Sequence, residues 1–468
     1  MEEETLRLQF GSAATTIGTQ WLTLQQSNRN VERLHVLAFE AKGRVKRQIR
    51  VTSKQEDQNP ITWGGNVEVY DQSGIDLGSN HDGLWNWKVL NEQNLVEVDE
   101  FRPYLPLHNF YEGRAICNGG SISLLSLEKA EDRVRTVLET CDQLKVVQNL
   151  VDMDSSWGGL AYEIMTYVID ECPRAVVMTI GNDWSYPLNV YDDSAEYCIA
   201  SSIRDRTKNE ARMNINVASS ISLLSEVSHL LVPVAMSSKT LLNTTFPHLE
   251  FNKTSCVDVS SIIATALELA LSGFQDRPAY ELLKGFNPHM KVVELAALFP
   301  YNMDPTSLLQ CIGDSVTNEV RSNILQQDPF CNYSLLPTIQ HATSDQNLLN
   351  KSFYRHLYFR GSFHGHLSLQ SAFDSFPVSS RDVTLQWSSS SLFLPTSYRL
   401  STLQNSLIDG ITQLSSNRKV GKYLSTLGHL VATSNKRMLH EFTRVGMSPD
   451  APEELKSHLA TLSDPYLI

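Results

Sequence analysis

The sequence predicts an α/β protein built on a parallel sheet that helices cover on both faces. Short apolar strands alternate with amphipathic helices from Thr5 to Val234, and two of the strands run through a glycine turn straight into a helix. At 468 residues the chain exceeds one ordinary core, so two or three domains are expected.

The elements follow in order. TLRLQFG (5–11) alternates as a strand, and TTIGTQWLTLQQ puts Ile17, Trp21 and Leu24 on one helical face. Residues 53–108 are largely polar and read as a long irregular excursion. Helix returns in EKAEDRVRTVLETCDQL, where Val134, Val137, Leu138 and Cys141 form a stripe and Glu131 and Asp132 complement the helix start. KVVQNLVD is a buried strand. The turn after it ends in Gly158 and Gly159 and opens a helix with Leu160, Ile164 and Val168 on one face, closed by Pro173. AVVMTIG is the next strand, and MNINVASSISLLSEVSHLLVPV reads as a helix entering another. VSSIIATALELALSGF is apolar on most sides, which marks a central helix. KVVELAAL and HLYFRGSF are strands of the second layer, LQWSSSSLFLPTS is a serine-rich link, and STLQNSLIDGITQLSS and PEELKSHLATL are read as helices. The chain is divided at 1–240 for the first sheet domain, 241–272 for a linker and central helix, 273–398 for a second α/β domain and 399–468 for C-terminal helices.

Composition narrows the function. A net charge of −13 argues against a general nucleic-acid binder, which concentrates Lys and Arg to displace counterions. One basic run, with Lys42, Arg44, Lys46, Arg47, Arg50 and Lys54, fits a solvated segment or a contact for anionic lipid or an acidic partner. Seven dispersed cysteines without a CxxC fit reduced thiols, and the acidic MEEETLRLQF lacks the basic flank of a targeting segment. The longest apolar stretch carries Glu268, so no membrane span is expected.

Phosphate cradles need backbone N–H groups uncrowded by side chains at a helix's positive end. Gly11 and the Gly158, Gly159 pair stand where such cradles form, yet neither GxxxxGK[ST] nor GxGxxG is present, and tight packing turns explain the glycines as well. His356, His364 and His366 lack acidic or thiol ligands close in sequence, so no metal is expected. Asp276 and Glu281 suit helix capping better than water activation.

LRLQFGSAATTIGTQWL resembles the opening of tubulins. EDRVRTVLETCDQLKVVQNLVDMDSSWGGLAYEIMTYVIDECP resembles the Misato family, tubulin-like proteins of mitochondrial distribution and morphology, through Arg135, Glu139, Cys141, Asp142, Asp152, Gly158, Gly159, Asp170, Glu171 and Pro173 in order. The likeness extends over most of the chain and is weakest over 27–108 and 300–350. It implies a tubulin/FtsZ-like fold: a parallel Rossmann-like sheet domain, a central helix, an intermediate α/β domain and C-terminal helices.

The departures from tubulins concentrate where nucleotide would bind. Against the tubulin phosphate turn GGGTGSG the chain offers Met153 to Gly159, with Asp154 adding negative charge and Trp157 bulk. Ala14 replaces a second glycine, Met236 falls near the guanine-reading Asn, and QDRPAYELL lacks GxxNxD. Gly11, Ser12, Asp154, Gly158 and Gly159 are therefore expected to be vestigial nucleotide positions. No hydrolysis and no cofactor are expected, with at most weak GTP or GDP binding. The resemblance implies a cytoplasmic pseudo-GTPase scaffold in mitochondrial distribution, morphology and inheritance. Its expected partners are proteins, tubulin or a cytosolic chaperonin among them, with peripheral contact to the mitochondrial outer membrane. A GTP-binding, polymer-forming cytoskeletal protein and an assembly factor for tubulin or spindle microtubules are the alternatives.

Overall fold

Leu6, Leu8 and Phe10 alternate with Arg7 and Gln9 in the first strand, β1 (Glu4–Phe10), and all five are buried. The strand lies near the middle of a six-stranded sheet in a computed structural model of the chain. The structure describes residues 4–29, 31–45, 92–101, 107–183, 203–236, 249–252, 255–272, 280–300, 333–337, 352–361, 383–395 and 406–467, with single positions 246, 278 and 398. The sheet order is β3 (Leu95–Val98), β2 (Leu34–Ala41), β1, β4 (Leu144–Asp152), β5 (Val176–Asp183) and β6 (Leu230–Ala235), and every neighbouring pair is parallel.

This is the doubly wound arrangement that the alternating pattern predicts. The chain leaves β1 toward β2 and β4 toward β5, so the switch point between β1 and β4 opens a crevice beyond the strand ends. Helix α1 (Ser12–Asn28) covers one face together with the central helix α5 (Cys256–Leu271). Residues of α2 (Leu124–Thr140), α3 (Trp157–Glu171) and α4 (Ile203–Glu226) cover the other, backed by α7 (Arg418–Ala432) and α9 (Ala451–Ser463). Helix α8 (Lys436–Thr443) packs on α4.

The central helix is buried from Val259 to Leu271 because it lies between two sheets. The second sheet runs β7 (Glu294–Leu298), β12 (Gly410–Asn417), β8 (Ser352–Arg360) and β9 (Val383–Ser388), with β12 antiparallel to β7 and β8. The sheets also meet directly. The Leu231 amide of β6 donates to the Lys291 carbonyl at 2.8 Å, and the Val293 amide returns to Leu231 at 2.9 Å.

Three readings from sequence are corrected. Residues 401–416 were expected to be helical, but the described part forms β11 (Ser406–Ile408) and β12, so the 399–468 segment supplies a central strand as well as helices. Leu403, Leu407, Ile411 and Leu414 mimic a helical period, whereas β12 is buried on both faces and its partners lie far away in sequence. The serine-rich link holds β9 and β10 (Leu392–Leu394), the latter pairing with β11. The 53–108 excursion contributes β3, the edge strand, with most of the remainder outside the described residues. Among the described residues no helix is long and apolar enough to cross a membrane.

The crevice at the ends of the parallel strands

Gly11 follows β1 as the N-cap of α1 with φ +96°, a region that favours glycine. A Cβ there would lie 2.3 Å from Asp152 Oδ2 and 2.7 Å from Trp157 Cδ1, so close packing requires glycine as well. Helix α1 starts at once, with no side-chain cap from Gly11 and no acid in its first turn. Its orphan amides are met from across the crevice: Ala13 N–H donates to Asp152 Oδ2 at 3.1 Å and Ala14 N–H to Asp152 Oδ1 at 2.8 Å. Asn182 of β5 donates a third bond to Oδ1 at 2.7 Å. A carboxylate from the end of β4 thus occupies the positive end of α1, the position in which such folds hold an anionic ligand. Burial raises the Asp152 carboxyl to about 6, against the three bonds that favour its ionised form.

Trp157 roofs this contact, stacking on Phe101 with centroids 3.8 Å apart and planes 13° from parallel. The turn between Asp152 and Trp157 is tied to its surroundings. Ser220 donates to the Met153 carbonyl at 3.0 Å, Asn216 to the Asp154 carbonyl at 2.8 Å, and Ser156 to the Leu107 carbonyl at 2.7 Å. The Met153 amide donates to the Asn182 carbonyl at 3.0 Å. Gly158 and Gly159 lie in the first turn of α3. A Cβ on the first would meet Ser220 Oγ at 2.1 Å, and one on the second the Phe110 carbonyl oxygen at 2.0 Å. Their bareness lets α3 pack against α4 and the 3₁₀ turn Phe110–Gly113.

Ser12 turns its hydroxyl to Glu40 Oε2 at 3.1 Å. Glu40, fully buried at the end of β2, is raised to about 7 by burial and by the Asp152 charge, while Thr15, Arg44 and Ser12 hold it down. Asp154 is raised well above the ordinary carboxylate range by burial and by the charges of Asp183 and Asp152. Asp183, at the end of β5, is raised to about 6 by burial. The crevice therefore brings Gly11, Ser12 and Asp154 together with Glu40, Asp152, Asn182 and Asp183. Sequence reading left Glu40, Asn182 and Asp183 out and took Asp152 only as part of a pattern; the available signal was an acid at or next to the end of three apolar strands, β2, β4 and β5.

Other candidates lie elsewhere. Met236 is buried in the α5 core, its amide donating to the Asp183 carbonyl at 3.1 Å. His356 is buried on β8; His364, His366 and Asp276 lie outside the described residues. Glu281, on the short helix α6 (Tyr280–Leu283), pairs with Lys284. Among the described residues no group of three His, Cys, Asp or Glu side chains is arranged to hold a metal ion. Lys42 of the basic run pairs with Asp99 at 2.7 Å, while Lys46, Arg47, Arg50 and Lys54 lie outside the described residues.

Residues 126–272, from α2 through α5, match a protein-family model described as a tubulin domain. Comparison with curated proteins gives no match.

Proposed function

We propose, for a chain that carries a tubulin domain, a non-enzymatic role of the Misato type: a tubulin-like pseudo-GTPase scaffold that acts through its surfaces in mitochondrial distribution, morphology and inheritance. The observation that carries the non-enzymatic reading is the Asp152 carboxylate on the Ala13 and Ala14 amides. Polyphosphate would have to displace an internal anion that is already hydrogen-bonded there, and would meet Glu40, Asp154 and Asp183 around it. Trp157 against Gly11 adds a steric barrier. The Misato part of the reading draws on the residues of 131–173, most of which fall within the tubulin-domain match.

Thermal shift of the purified chain with GTP or GDP and magnesium tests the first part. A ligand at 100 times its Kd that binds only the folded state adds about 2.7 kcal/mol. No shift at millimolar nucleotide is the expected result; a rise of several degrees overturns the pseudo-GTPase reading. The cellular part is tested by depleting the protein and imaging mitochondria: an unaltered network rejects it.

A further inference from the structure

Strand β2 is eight residues long and its outer neighbour β3 only four. The two pair from Ala38↔Leu95 to Ala41↔Val98, so residues 34–37 have β1 on one side and, among the described residues, no strand on the other. A 3₁₀ turn, Glu92–Asn94, stands directly before β3 and does not extend the ladder.

The backbone on that side is open. Thr5 N–H donates to the Arg33 carbonyl at 3.0 Å and Gly11 N–H to that of Phe39 at 3.1 Å, so the odd-numbered residues turn to β1 while Leu34 and Val36 turn outward. Asn94 Nδ2 donates to the Val36 carbonyl at 2.9 Å, and the Leu34 amide donates to the Val31 carbonyl at 3.0 Å. The Leu34 carbonyl and the Val36 N–H remain on this edge. An acceptor and a donor two residues apart are what one residue of an added parallel strand bridges, as β3 does farther along.

Outside this edge lies a cavity of about 470 Å³, within the size range of ligand sites. Leu22 and Gln26 of α1 line one wall, and Val137 and Thr140 of α2 the other. Val36 belongs to the cluster of Leu22 and Leu37 to the core on the α2 side, so the cavity straddles the sheet edge where a further strand would run. Alternate side chains of a strand seated there would point to Leu22 and to Val137. Among the described lining residues Arg133 and His35 are basic and none is acidic, in a chain of net charge −13. Arg133, half-buried on α2, donates to the Gln93 carbonyl at 3.4 Å and forms no ion pair among the described residues.

We propose that this cavity docks an extended peptide of a partner protein, which adds as a parallel strand beside residues 34–37, seats apolar side chains against Leu22 and Val137, and directs an acidic one to Arg133. The cavity lies at the opposite end of the strands from Gly11 and Asp152, so the inference is independent of whether nucleotide binds.

Arrayed acetylated hexapeptides, in which Val or Leu alternates with each of the remaining residue types, are probed with the purified full chain. Peptides with Asp or Glu are expected to be retained and their Lys counterparts not. The best binder is then measured by fluorescence anisotropy. Of its two alternate sets of backbone nitrogens, methylating one should weaken binding tenfold or more and methylating the other should not, because only one set faces β2. Thr136→Trp, which fills the mouth from an exposed position of α2, should also weaken binding tenfold or more. Arg133→Gln should weaken acidic peptides severalfold and leave neutral ones unchanged. Both variants are checked for an unchanged melting temperature. Retention of no peptide, preference for basic over acidic peptides, or equal effects of the two methylated sets overturns the proposal. Binding of decanoate without binding of any peptide assigns the cavity to a small amphipathic carboxylate and overturns it as well.

Discussion

Gly11 and Gly43 separate two reasons for a glycine. Both have positive φ, +96° and +76°, but an added Cβ at Gly43 meets nothing within 4 Å, whereas at Gly11 it strikes Asp152 and Trp157. Gly43→Ala should cost about 1–2 kcal/mol, the backbone strain alone. Gly11→Ala adds overpacking and should cost about 3 kcal/mol or more. Urea denaturation that ranks the two equally would show that the crevice is not closed as described. Glu40 gives a pH prediction. Its folded-state carboxyl sits at about 7, above the ordinary glutamate value of 4.5, so the folded chain binds the extra proton. That contribution favours folding at low pH and is lost as pH rises from about 4.5 to about 7. Glu40→Gln removes the loss and should gain on the order of 3 kcal/mol relative to wild type between pH 5 and pH 8. A constant gap between the two denaturation curves at both pH values contradicts it.

At the scale of elements, Glu268 joins three of them. From the central helix its Oε2 accepts from Trp21 Nε1 of α1 at 2.9 Å and from Arg29 Nη2 at 3.2 Å, and Oε1 lies 3.5 Å from Arg360 Nη1 of β8. Arg7 of β1 stacks on the same Trp21 ring, 3.7 Å from its centroid, and burial lowers its guanidinium to about 9. Removing one member of a buried ion pair costs about 3–5 kcal/mol. Glu268→Ala should fall in that range, and Glu268→Gln, which keeps an acceptor, should cost less. Equal melting temperatures for wild type and Glu268→Ala would show that the cluster does not tie the elements together. The glutamate was visible in the sequence as a blemish in an apolar helix. Its partners were not, because Trp21 and Arg360 lie on either side of it at long sequence distance. Helices α1 to α5 and strands β1, β4, β5 and β6 were legible from periodicity, while β12 was not, since its pattern fits a helix until β7 and β8 flank it.

The whole molecule is joined across its two sheets. Leu231 bonds to both Lys291 and Val293, and Tyr466 near the last helix donates to the Val292 carbonyl at 2.6 Å and accepts from the Val292 amide at 3.1 Å. The side of the first sheet that carries Leu150, Val232 and Val234 is covered by α1, α5 and the second sheet's core. A fragment of residues 1–240 should therefore expose that apolar face, bind a hydrophobic dye and aggregate. A soluble fragment with a cooperative melt would show the first sheet to be independent.

The sequence by itself determined the parallel sheet, its helices and the central helix, because their apolar runs and periodicities are local in the chain. It also located the two turns of the crevice. What stands in that crevice was decided only by tertiary structure. Asp152 of β4, Glu40 of β2 and the pair Asn182 and Asp183 of β5 come from three strands that the parallel order brings to one edge, and Asp152 meets α1 across 138 positions of sequence. A hydrogen bond between residues so far apart leaves no periodic trace in either segment, so the filled anion seat appears only once the strands are side by side.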